Sequence, residues 1–173
     1  MTYSLDQIPN LSGKTVLLDT NTLLFAYHAS LGDEERTKPY TKGMATLMGH
    51  KIKTIVTPTI LSEFYNRSLK QDYEFHQNDY SSYKIFRNSD IGKECLNAVC
   101  VNIRKILQFS DLVTDSSIEA DDILDLLKTG KLDFGDALSI LTARKHDYVI
   151  FTDDIDFKNA KVQVLTGNPK YFR

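Results

Sequence analysis

Residues 14–28 read Lys-Thr-Val-Leu-Leu-Asp-Thr-Asn-Thr-Leu-Leu-Phe-Ala-Tyr-His. The apolar run that ends at Asp19 predicts a buried β-strand. The segment 20–28 predicts a helix entered at Thr20 or Asn21, because its apolar residues follow a short polar start. A strand that leads directly into a helix is typical of α/β proteins with a parallel sheet.

The same alternation of strand and helix continues along the chain. Apolar and β-branched runs predict three further strands, at 53–57, 148–151 and 162–165. The helical stretches are expected at 39–49, from Pro58 onward, within 72–109, from a Ser116–Glu119 capping box to Gly130, and at 133–146. The pattern predicts an α/β fold with a mainly parallel sheet, as a single domain of residues 1–173. An irregular N-terminal arm is expected at 1–13 and a helical insertion at 72–109.

Composition and charge limit the classes of function. The chain has 173 residues, of which 42% are hydrophobic and 25% charged, as in a folded globular domain rather than a disordered chain. Its formal net charge of −2 excludes a strong overall positive field that would attract nucleic acid. Contact with a polyanion must therefore use a local patch or a bound cation. Because there is no apolar run of about 18 residues and no leader-like start, we expect an intracellular, cytoplasmic protein without membrane contact.

Acidic side chains follow the predicted strands at the point where each strand ends. Asp19 ends the first strand, and Asp153 and Asp154 come directly after the strand that ends at residue 151. Ligands of parallel sheets gather at the carboxyl ends of strands, so these acids meet in one crevice if the strands are neighbours. Asp136 at a helix start and Glu63 between apolar helix residues complete the set. Carboxylates this close repel one another unless a divalent cation such as Mg²⁺ binds between them.

Each acid also has a purely structural interpretation. Asp19 could cap the helix that follows it, and Asp136 could be an ordinary helix-start residue favoured by the helix dipole. Glu63 could form a surface ion pair with Arg67 one turn later, worth about 0.3–0.5 kcal/mol. The acids at 153–156 could form a solvated turn. Two acids at strand ends, together with a helix acid between apolar neighbours, favour a site over these alternatives.

Four short stretches follow one another along the chain. They read Val-Leu-Leu-Asp-Thr-Asn-Thr-Leu-Leu at 16–24, Ile-Leu-Ser-Glu-Phe at 60–64, Gly-Asp-Ala-Leu-Ser-Ile-Leu-Thr-Ala at 135–143 and Val-Ile-Phe-Thr-Asp-Asp-Ile-Asp-Phe at 149–157. The ordered set resembles PIN-domain nucleases, including the VapC-like ribonuclease toxins. One such stretch alone is a weak signal, whereas four in the family's order over most of the chain are specific. The resemblance implies a three-layer α/β/α sandwich and metal-dependent hydrolysis of RNA.

The resemblance also implies which residues act. The acids that it assigns as catalytic, and as ligands of one or two Mg²⁺ or Mn²⁺ ions, are Asp19, Glu63, Asp136 and Asp154. The residues that it assigns to orient those acids are Asn21, Thr152, Asp153 and Asp156. Where the family often has asparagine before the last acid, this chain has Asp153, so the choice between Asp153 and Asp154 stays open. The position two residues after Thr152 favours Asp154.

The resemblance further implies partners and products. Family members cut single-stranded or structured RNA and leave 5′-phosphate and 3′-hydroxyl ends. The toxins among them are usually held by an antitoxin protein, and pairing as a homodimer is common. An RNA substrate, an antitoxin and a second copy of this chain are therefore the partners to expect.

The segment 72–109 carries aromatic and basic side chains at helical spacing. They are Tyr73, His76, Tyr80, Tyr83 and Arg87. One interpretation is an RNA-binding face, because aromatic rings stack on bases and arginine contacts phosphate. The other two are packing of this segment onto the sheet and a groove for a partner protein.

Two other classes of function remain as alternatives. A metal-dependent phosphotransfer domain also places acids at strand ends. However, a dehalogenase-like phosphatase requires an aspartate where this chain has Asn21, and a response-regulator receiver requires one after a middle strand, where residues 54–58 have none. The second alternative is an inactive PIN-like module that binds RNA or protein, and the presence of all four acids argues against it.

The four histidines do not cluster in the sequence, which gives no support to a histidine-based zinc site.

Overall fold

The strand predicted to end at Asp19 lies at the centre of a six-stranded sheet within the part of the chain that the structure describes. The structure is a computed structural model, and it describes residues 1–28, 34–114 and 118–173. The strands are β1 (Thr2–Ser4), β2 (Thr15–Leu18), β3 (Lys53–Val56), β4 (Ser110–Leu112), β5 (Val149–Phe151) and β6 (Gln163–Thr166). They lie in the order β1-β6-β5-β2-β3-β4, and every neighbouring pair runs parallel. The predicted parallel sheet is therefore confirmed.

Helices cover both faces of this sheet. The α-helices are α1 (Thr20–Tyr27), α2 (Glu34–Gly49), α3 (Pro58–Phe75), α4 (Tyr83–Asn88), α5 (Asp90–Phe109), α6 (Ala120–Leu127) and α7 (Phe134–His146). Short 3₁₀ helices occupy Leu5–Leu11, Ile155–Asn159 and Pro169–Phe172. Val16, Leu17 and Leu18 in β2 are completely buried, as expected for a strand that is packed on both sides. The fold is the expected three-layer α/β/α sandwich.

The direction of the chain across the sheet reverses between β2 and β5. From β2 the chain proceeds to β3 and β4 on one side, whereas β5 leads to β6 on the other. Such a reversal leaves a crevice at the carboxyl ends of the two central strands, where ligands of open α/β sheets bind. The register pairs Leu18 with Phe151, so Asp19 and Thr152 follow at the same level of the sheet.

The prediction that residues 1–13 form an irregular arm is wrong. Thr2–Ser4 pairs with β6 as an edge strand, and Leu5–Leu11 forms a 3₁₀ helix. Ile8 and Leu11 in that helix are completely buried, so the segment is part of the hydrophobic core. Strand β4 at the opposite edge is also absent from the sequence prediction. Both edge strands have three residues of mixed polarity, so neither shows the continuous apolar run that marks the equally short but completely buried β5.

The segment 72–109 does not begin where the sequence pattern suggests. Its first residues belong to α3, which ends at Phe75, and the rest forms α4, α5 and the turns around them. The aromatic rings that contact the completely buried Phe86, with centroids 5.4 to 5.8 Å apart, are those of Tyr73, His76 and Tyr80. These contacts pack α4 against the end of α3, so several of the aromatic residues have a packing role, although the contacts are not with the sheet itself.

Two helix starts also differ from their predicted positions. The helix expected at 39–49 begins at Glu34, and the helix expected from a capping box begins at Ala120. Ser116, the first residue of that capping box, lies outside the described residues.

Across residues 1–28, 34–114 and 118–173, no helix combines the length and the apolar character needed to cross a membrane.

Candidate functional site

Hydrogen bonds join the end of β2 to the end of β5. The backbone N–H of Asp19 donates to the carbonyl of Phe151 over 3.1 Å. The Thr22 hydroxyl lies 2.8 Å from the Asp19 carbonyl and 3.2 Å from the Phe151 carbonyl, so it can donate to both. Because Thr22 is completely buried in the first turn of α1, it fixes the start of that helix against the neighbouring strand.

The carboxylate of Asp19 is buried at the carboxyl end of β2. Asp19 is only 8% exposed, and its Oδ2 accepts a hydrogen bond of 2.8 Å from the Thr152 hydroxyl. The pKa of Asp19 is raised to about 6, first by burial and to a smaller extent by the charge of Glu63, while the Thr152 hydrogen bond opposes the shift. Asp19 occupies the cap position of α1, but its side chain makes no capping hydrogen bond. Asp19 is thus the cap residue of α1, as the structural interpretation expects, and its carboxylate also accepts from Thr152 on the neighbouring strand end.

Glu63 projects from α3 toward the same crevice. Its Oε2 accepts from the Thr20 hydroxyl at 2.9 Å, and its Oε1 lies 3.1 Å from Arg67 Nη1. The same arginine nitrogen donates to Asn21 Oδ1 over 3.0 Å. The ion pair with Arg67 that was one interpretation of Glu63 is thus present, and it also connects Glu63 to the start of α1.

Asp154 is held by the turn that follows β5. Its backbone N–H donates to the Thr152 hydroxyl over 2.9 Å, and its Oδ1 accepts from the Asp156 backbone N–H at 3.0 Å. Asn21 Nδ2 lies 3.5 Å from Asp154 Oδ2. The side chain of Asp156 is exposed, so Asp156 supports Asp154 through its backbone and not through its carboxylate.

Asp136 lies in the first turn of α7, close to the other three acids. The cap of α7 is Asp133, whose Oδ1 accepts from the Asp136 backbone N–H at 2.8 Å. The pKa of Asp136 is raised to about 7, first by burial and then by the negative charges of Asp133, Asp19, Asp154 and Glu63. Asp136 therefore experiences the charges of carboxylates that come from three other segments of the chain.

The side chain of Asp153 makes its hydrogen bonds outside the crevice that holds the other acids. Its carboxylate accepts from the Arg36 guanidinium, with contacts of 2.6 and 3.0 Å, and from the Tyr40 hydroxyl. These three residues line a separate cleft of about 470 Å³. Asp153 is 7% exposed and is not among the charges that raise the pKa of Asp136. Of the two neighbouring aspartates, Asp154 is the one whose carboxylate lies beside Asn21.

Three residues that bond within the site were not assigned to it from the sequence. They are Thr20, Arg67 and Asp133. The spacing of four between Glu63 and Arg67 does predict their contact, but it gives no sign that the arginine also bonds Asn21. Asp133 lies three residues before Asp136, which is the spacing of a helix cap to the third residue of its helix. The contact between Thr20 and Glu63 joins distant segments, so no local pattern predicts it.

The ligand atoms that the four acids offer are of the kind that a hard divalent cation prefers. All four acids offer oxygen, the ligand atom that Mg²⁺ and Mn²⁺ prefer. Within the described residues, no three histidine, cysteine or acidic side chains are arranged as a ready metal cluster. Mg²⁺ keeps several waters and commonly uses only one or two carboxylates, so a three-ligand cluster is not required. Burial and then the neighbouring negative charges raise the pKa of Asp136, and a bound cation would offset those charges.

A cleft of about 680 Å³ opens beside Glu63, between the first half of α3 and the start of α7. The residues that line it are Pro58, Thr59, Ser62, Glu63, Asn66, Asp133, Phe134 and Gly135. Glu63 and Asp133 connect this cleft to the acids described above. A ligand bound there lies next to the carboxylates.

Comparison with known proteins finds likeness in structure only. No protein-family model matches the chain, and no curated protein matches it. The crystal structure of VapBC2 from Rickettsia felis, bound to a DNA fragment from their promoter, is similar with a TM-score of 0.56 at 14% identity, over 87% of this chain and 96% of that one. The crystal structure of PAE2754 from Pyrobaculum aerophilum is similar with a TM-score of 0.55 at 16% identity, over 92% of this chain and 88% of that one. The chain therefore has a PIN-like fold.

Proposed function

We propose that this protein is a metal-dependent endoribonuclease that hydrolyses phosphodiester bonds in single-stranded RNA. The observation that carries the proposal is that hydrogen bonds hold three of the acids at one crevice, Asp19 through Thr152, Glu63 through Thr20 and Asp154 through Asn21. Beside them, burial and then the charges of Asp133, Asp19, Asp154 and Glu63 raise the pKa of Asp136. Carboxylates from four separate segments thus act on one another at the crevice between β2 and β5. Such a concentration of acidic groups is unfavourable in itself and is typical of a site that binds cations.

Each acid has a role in the proposed site. Asp19, Asp136 and Asp154 would hold Mg²⁺ or Mn²⁺, and Glu63 would either complete that set or position the attacking water. The cation, when bound, lowers the pKa of water and offsets the charge that develops on the phosphate. Thr152 holds the Asp19 carboxylate through its hydroxyl, and Asn21 approaches Asp154 through its amide.

The proposed reaction is an in-line displacement at phosphorus. A water oxygen forms a bond to phosphorus while the bond to the 3′ oxygen breaks, and that oxygen takes up a proton. The expected products carry 5′-phosphate and 3′-hydroxyl ends. Because the 2′-hydroxyl does not attack, no 2′,3′-cyclic phosphate forms.

The experiment that tests the proposal compares RNA cleavage under three conditions. Single-stranded RNA is incubated with the protein in Mn²⁺, with the protein in EDTA, and with Asp19→Asn in Mn²⁺. Cleavage in the first condition alone, with 5′-phosphate ends, is the expected result. Asp125→Asn is a matched control, because Asp125 is an exposed acid on α6 that pairs with Lys128. Equal cleavage by the protein in Mn²⁺ and in EDTA would contradict the proposal.

The likeness to VapBC2 supports a second part of the proposal, which is that the protein is the toxin of a toxin–antitoxin pair. A toxin of this kind arrests growth when it is expressed without its partner. Induced expression of the protein should therefore stop growth in a bacterial host, and Asp19→Asn should not. Growth arrest by both proteins to the same extent would contradict a role for the nuclease site.

An inactive module that binds RNA or protein is the second candidate function. The observation that favours it is the absence, within the described residues, of three metal-binding side chains arranged as a cluster. Titration with Mn²⁺ by calorimetry separates the two candidates. A nuclease of the proposed kind binds the ion with an affinity that Asp136→Asn reduces, whereas an inactive module need not bind it.

A further inference from the structure

The cleft between α3 and α7 has walls of two different kinds. One wall carries Phe134, whose side chain is an exposed large hydrophobic group with 56% of its surface accessible. The other wall is one face of α3, formed by Pro58, Thr59, Ser62, Glu63 and Asn66. An apolar ring therefore faces a wall that contains hydrogen-bonding side chains.

The position of Phe134 is fixed by its helix. Asp133 caps α7 through the Asp136 backbone N–H, so Phe134 is the first residue of a well-defined helix start. Gly135 lies between Asp133 and Glu63, since a Cβ at that position would be in van der Waals contact with Asp133 Oδ1 at 3.4 Å and Glu63 Oε2 at 3.8 Å. The ring thus lies two residues from Asp136, at the edge of the proposed catalytic site.

The α3 wall offers polar groups with no partner in the described residues. Ser62 and Asn66 are exposed, and neither side chain forms a hydrogen bond with the rest of the described protein. They are one helical turn apart, so they point to the same side of α3. An amide and a hydroxyl can each donate and accept, which is the capacity needed to bind the edge of a base.

The charge of the lining indicates which part of a nucleotide fits. Glu63 and Asp133 are the charged residues of the lining, and both are acidic. A phosphate group would be repelled there, since the lining supplies no lysine or arginine to bind it. A neutral, flat base is compatible with an aromatic ring on one side and polar side chains on the other.

We infer that this cleft binds one unpaired nucleobase of the RNA, with Phe134 stacking on its face and Ser62 and Asn66 bonding its edge. The inference rests on the proposed function, because it takes the substrate to be single-stranded RNA. It gives the enzyme a sequence preference at one position beside the scissile phosphate. Phe134 and Asn66 are then residues that determine specificity, and they do not take part in the chemical step.

Three substitutions and one matched control test this inference. Phe134→Ala removes the stacking surface, Phe134→Trp keeps it, and Asn66→Ala removes the edge contact. Phe75→Ala is the control, because Phe75 is 78% exposed and lies at the other end of α3. That end is roughly 20 Å from Ser62 along the helix.

Two measurements are made on each variant. The first is binding of a fluorescent single-stranded RNA of random sequence, followed by anisotropy with Ca²⁺ in place of Mn²⁺. The second is the sequence preference at the cut sites of a random RNA pool in Mn²⁺. We expect Phe134→Ala to weaken binding about 5- to 150-fold, as measured for base stacking on aromatic residues. Phe134→Trp should restore binding, and Asn66→Ala should flatten the preference at one position.

The outcomes separate this inference from the proposed function. If the wild-type protein cuts RNA and Phe134→Ala leaves affinity and preference unchanged, the base site is refuted while the nuclease stands. If the wild-type protein cuts no RNA but binds it in a way that depends on Phe134 and not on Phe75, the nuclease proposal fails and the base site is supported. If the wild-type protein binds no single-stranded RNA, the base site is refuted as well.

Discussion

At the scale of one residue, the ionised form of Asp19 is unfavourable in the folded protein. Its carboxylate is buried and lies near Glu63, and its pKa is raised to about 6 from an ordinary value of 3.8. The folded protein therefore holds the proton more tightly than the unfolded chain does. Ionisation of Asp19 costs stability, and that cost is absent below about pH 4, grows as the pH rises, and is complete above about pH 6.

Asp19→Asn should therefore stabilise the metal-free protein at pH 8. The asparagine is isosteric and can still accept from Thr152, but it carries no charge. We expect a gain of about 1–3 kcal/mol in the free energy of unfolding at pH 8, which shrinks toward zero near pH 4. Urea denaturation in EDTA at the two pH values measures it. A gain of the same size at both would show that the effect does not come from ionisation.

Arg67 is the residue whose loss should separate activity from stability. It bonds both Glu63 and Asn21, yet the ion pair with Glu63 is partly exposed, so its net stabilisation is at most about 1 kcal/mol. Arg67→Met should lower kcat by about 10- to 100-fold, the usual effect of removing a group that positions active-site acids. Lys70→Met, an exposed residue of the same helix, should leave kcat unchanged. A loss of kcat that merely follows a loss of folded protein would contradict a positioning role.

At the scale of elements, the junction of α4 and α5 depends on one glycine. The first turn of α5 passes so close to α4 that a Cβ on Gly92 would lie 2.0 Å from the Phe86 carbonyl oxygen. Gly92→Ala must push the two helices apart, and it disturbs the environment of the buried Phe86 ring. We expect a loss of about 1–3 kcal/mol or more in the free energy of unfolding.

Gly49→Ala provides the matched control for that substitution. Gly49 is the last residue of α2, and a Cβ there meets nothing within 4 Å. Its replacement should be neutral or should stabilise the protein by up to about 1 kcal/mol. Chemical denaturation of both variants measures the difference. Equal stability of the two variants would show that the helices can separate at no cost.

The elements also show what the sequence can and cannot predict. The four predicted strands lie within one residue of their predicted positions, because each is a run of apolar or β-branched residues, whereas two helix starts lie about four or five residues from where the pattern places them. The edge strands Thr2–Ser4 and Ser110–Leu112 were missed because each acquires its structure by pairing with a distant neighbour. The direction of a side chain is also set by distant groups. The spacing from Thr152 favoured Asp154 over Asp153, but the sequence could not show that Asp153 binds Arg36 and Tyr40 on α2 instead.

At the scale of the whole molecule, a bound cation should couple to the stability of the fold. An ion that binds only the folded chain stabilises it by about 2.7 kcal/mol at a concentration of 100 times Kd, which corresponds to a rise in Tm of about 5 to 10 °C here. Thermal unfolding with and without Mn²⁺ should show this rise for the wild-type protein at pH 8, and a much smaller one for Asp136→Asn. The rise should also fade below about pH 6, because Asp19 and Asp136 bind protons there in competition with the ion. An equal rise in Tm for the wild-type protein and Asp136→Asn would show that the ion binds at another place in the protein.

The order of the strands has a consequence for how the protein is made. Strands β5 and β6 come after the others in the chain, yet in the sheet they fill the gap between β1 and β2. During translation Asp19 is synthesised long before its partner Thr152 and the neighbouring Asp154. An incomplete chain therefore contains Asp19 and Glu63 but not all four acids of the candidate site. Under the proposed function, cleavage of RNA would require residues 152–154 as well as Asp19. A chain whose translation has not yet passed residue 154 would therefore lack an assembled acidic site.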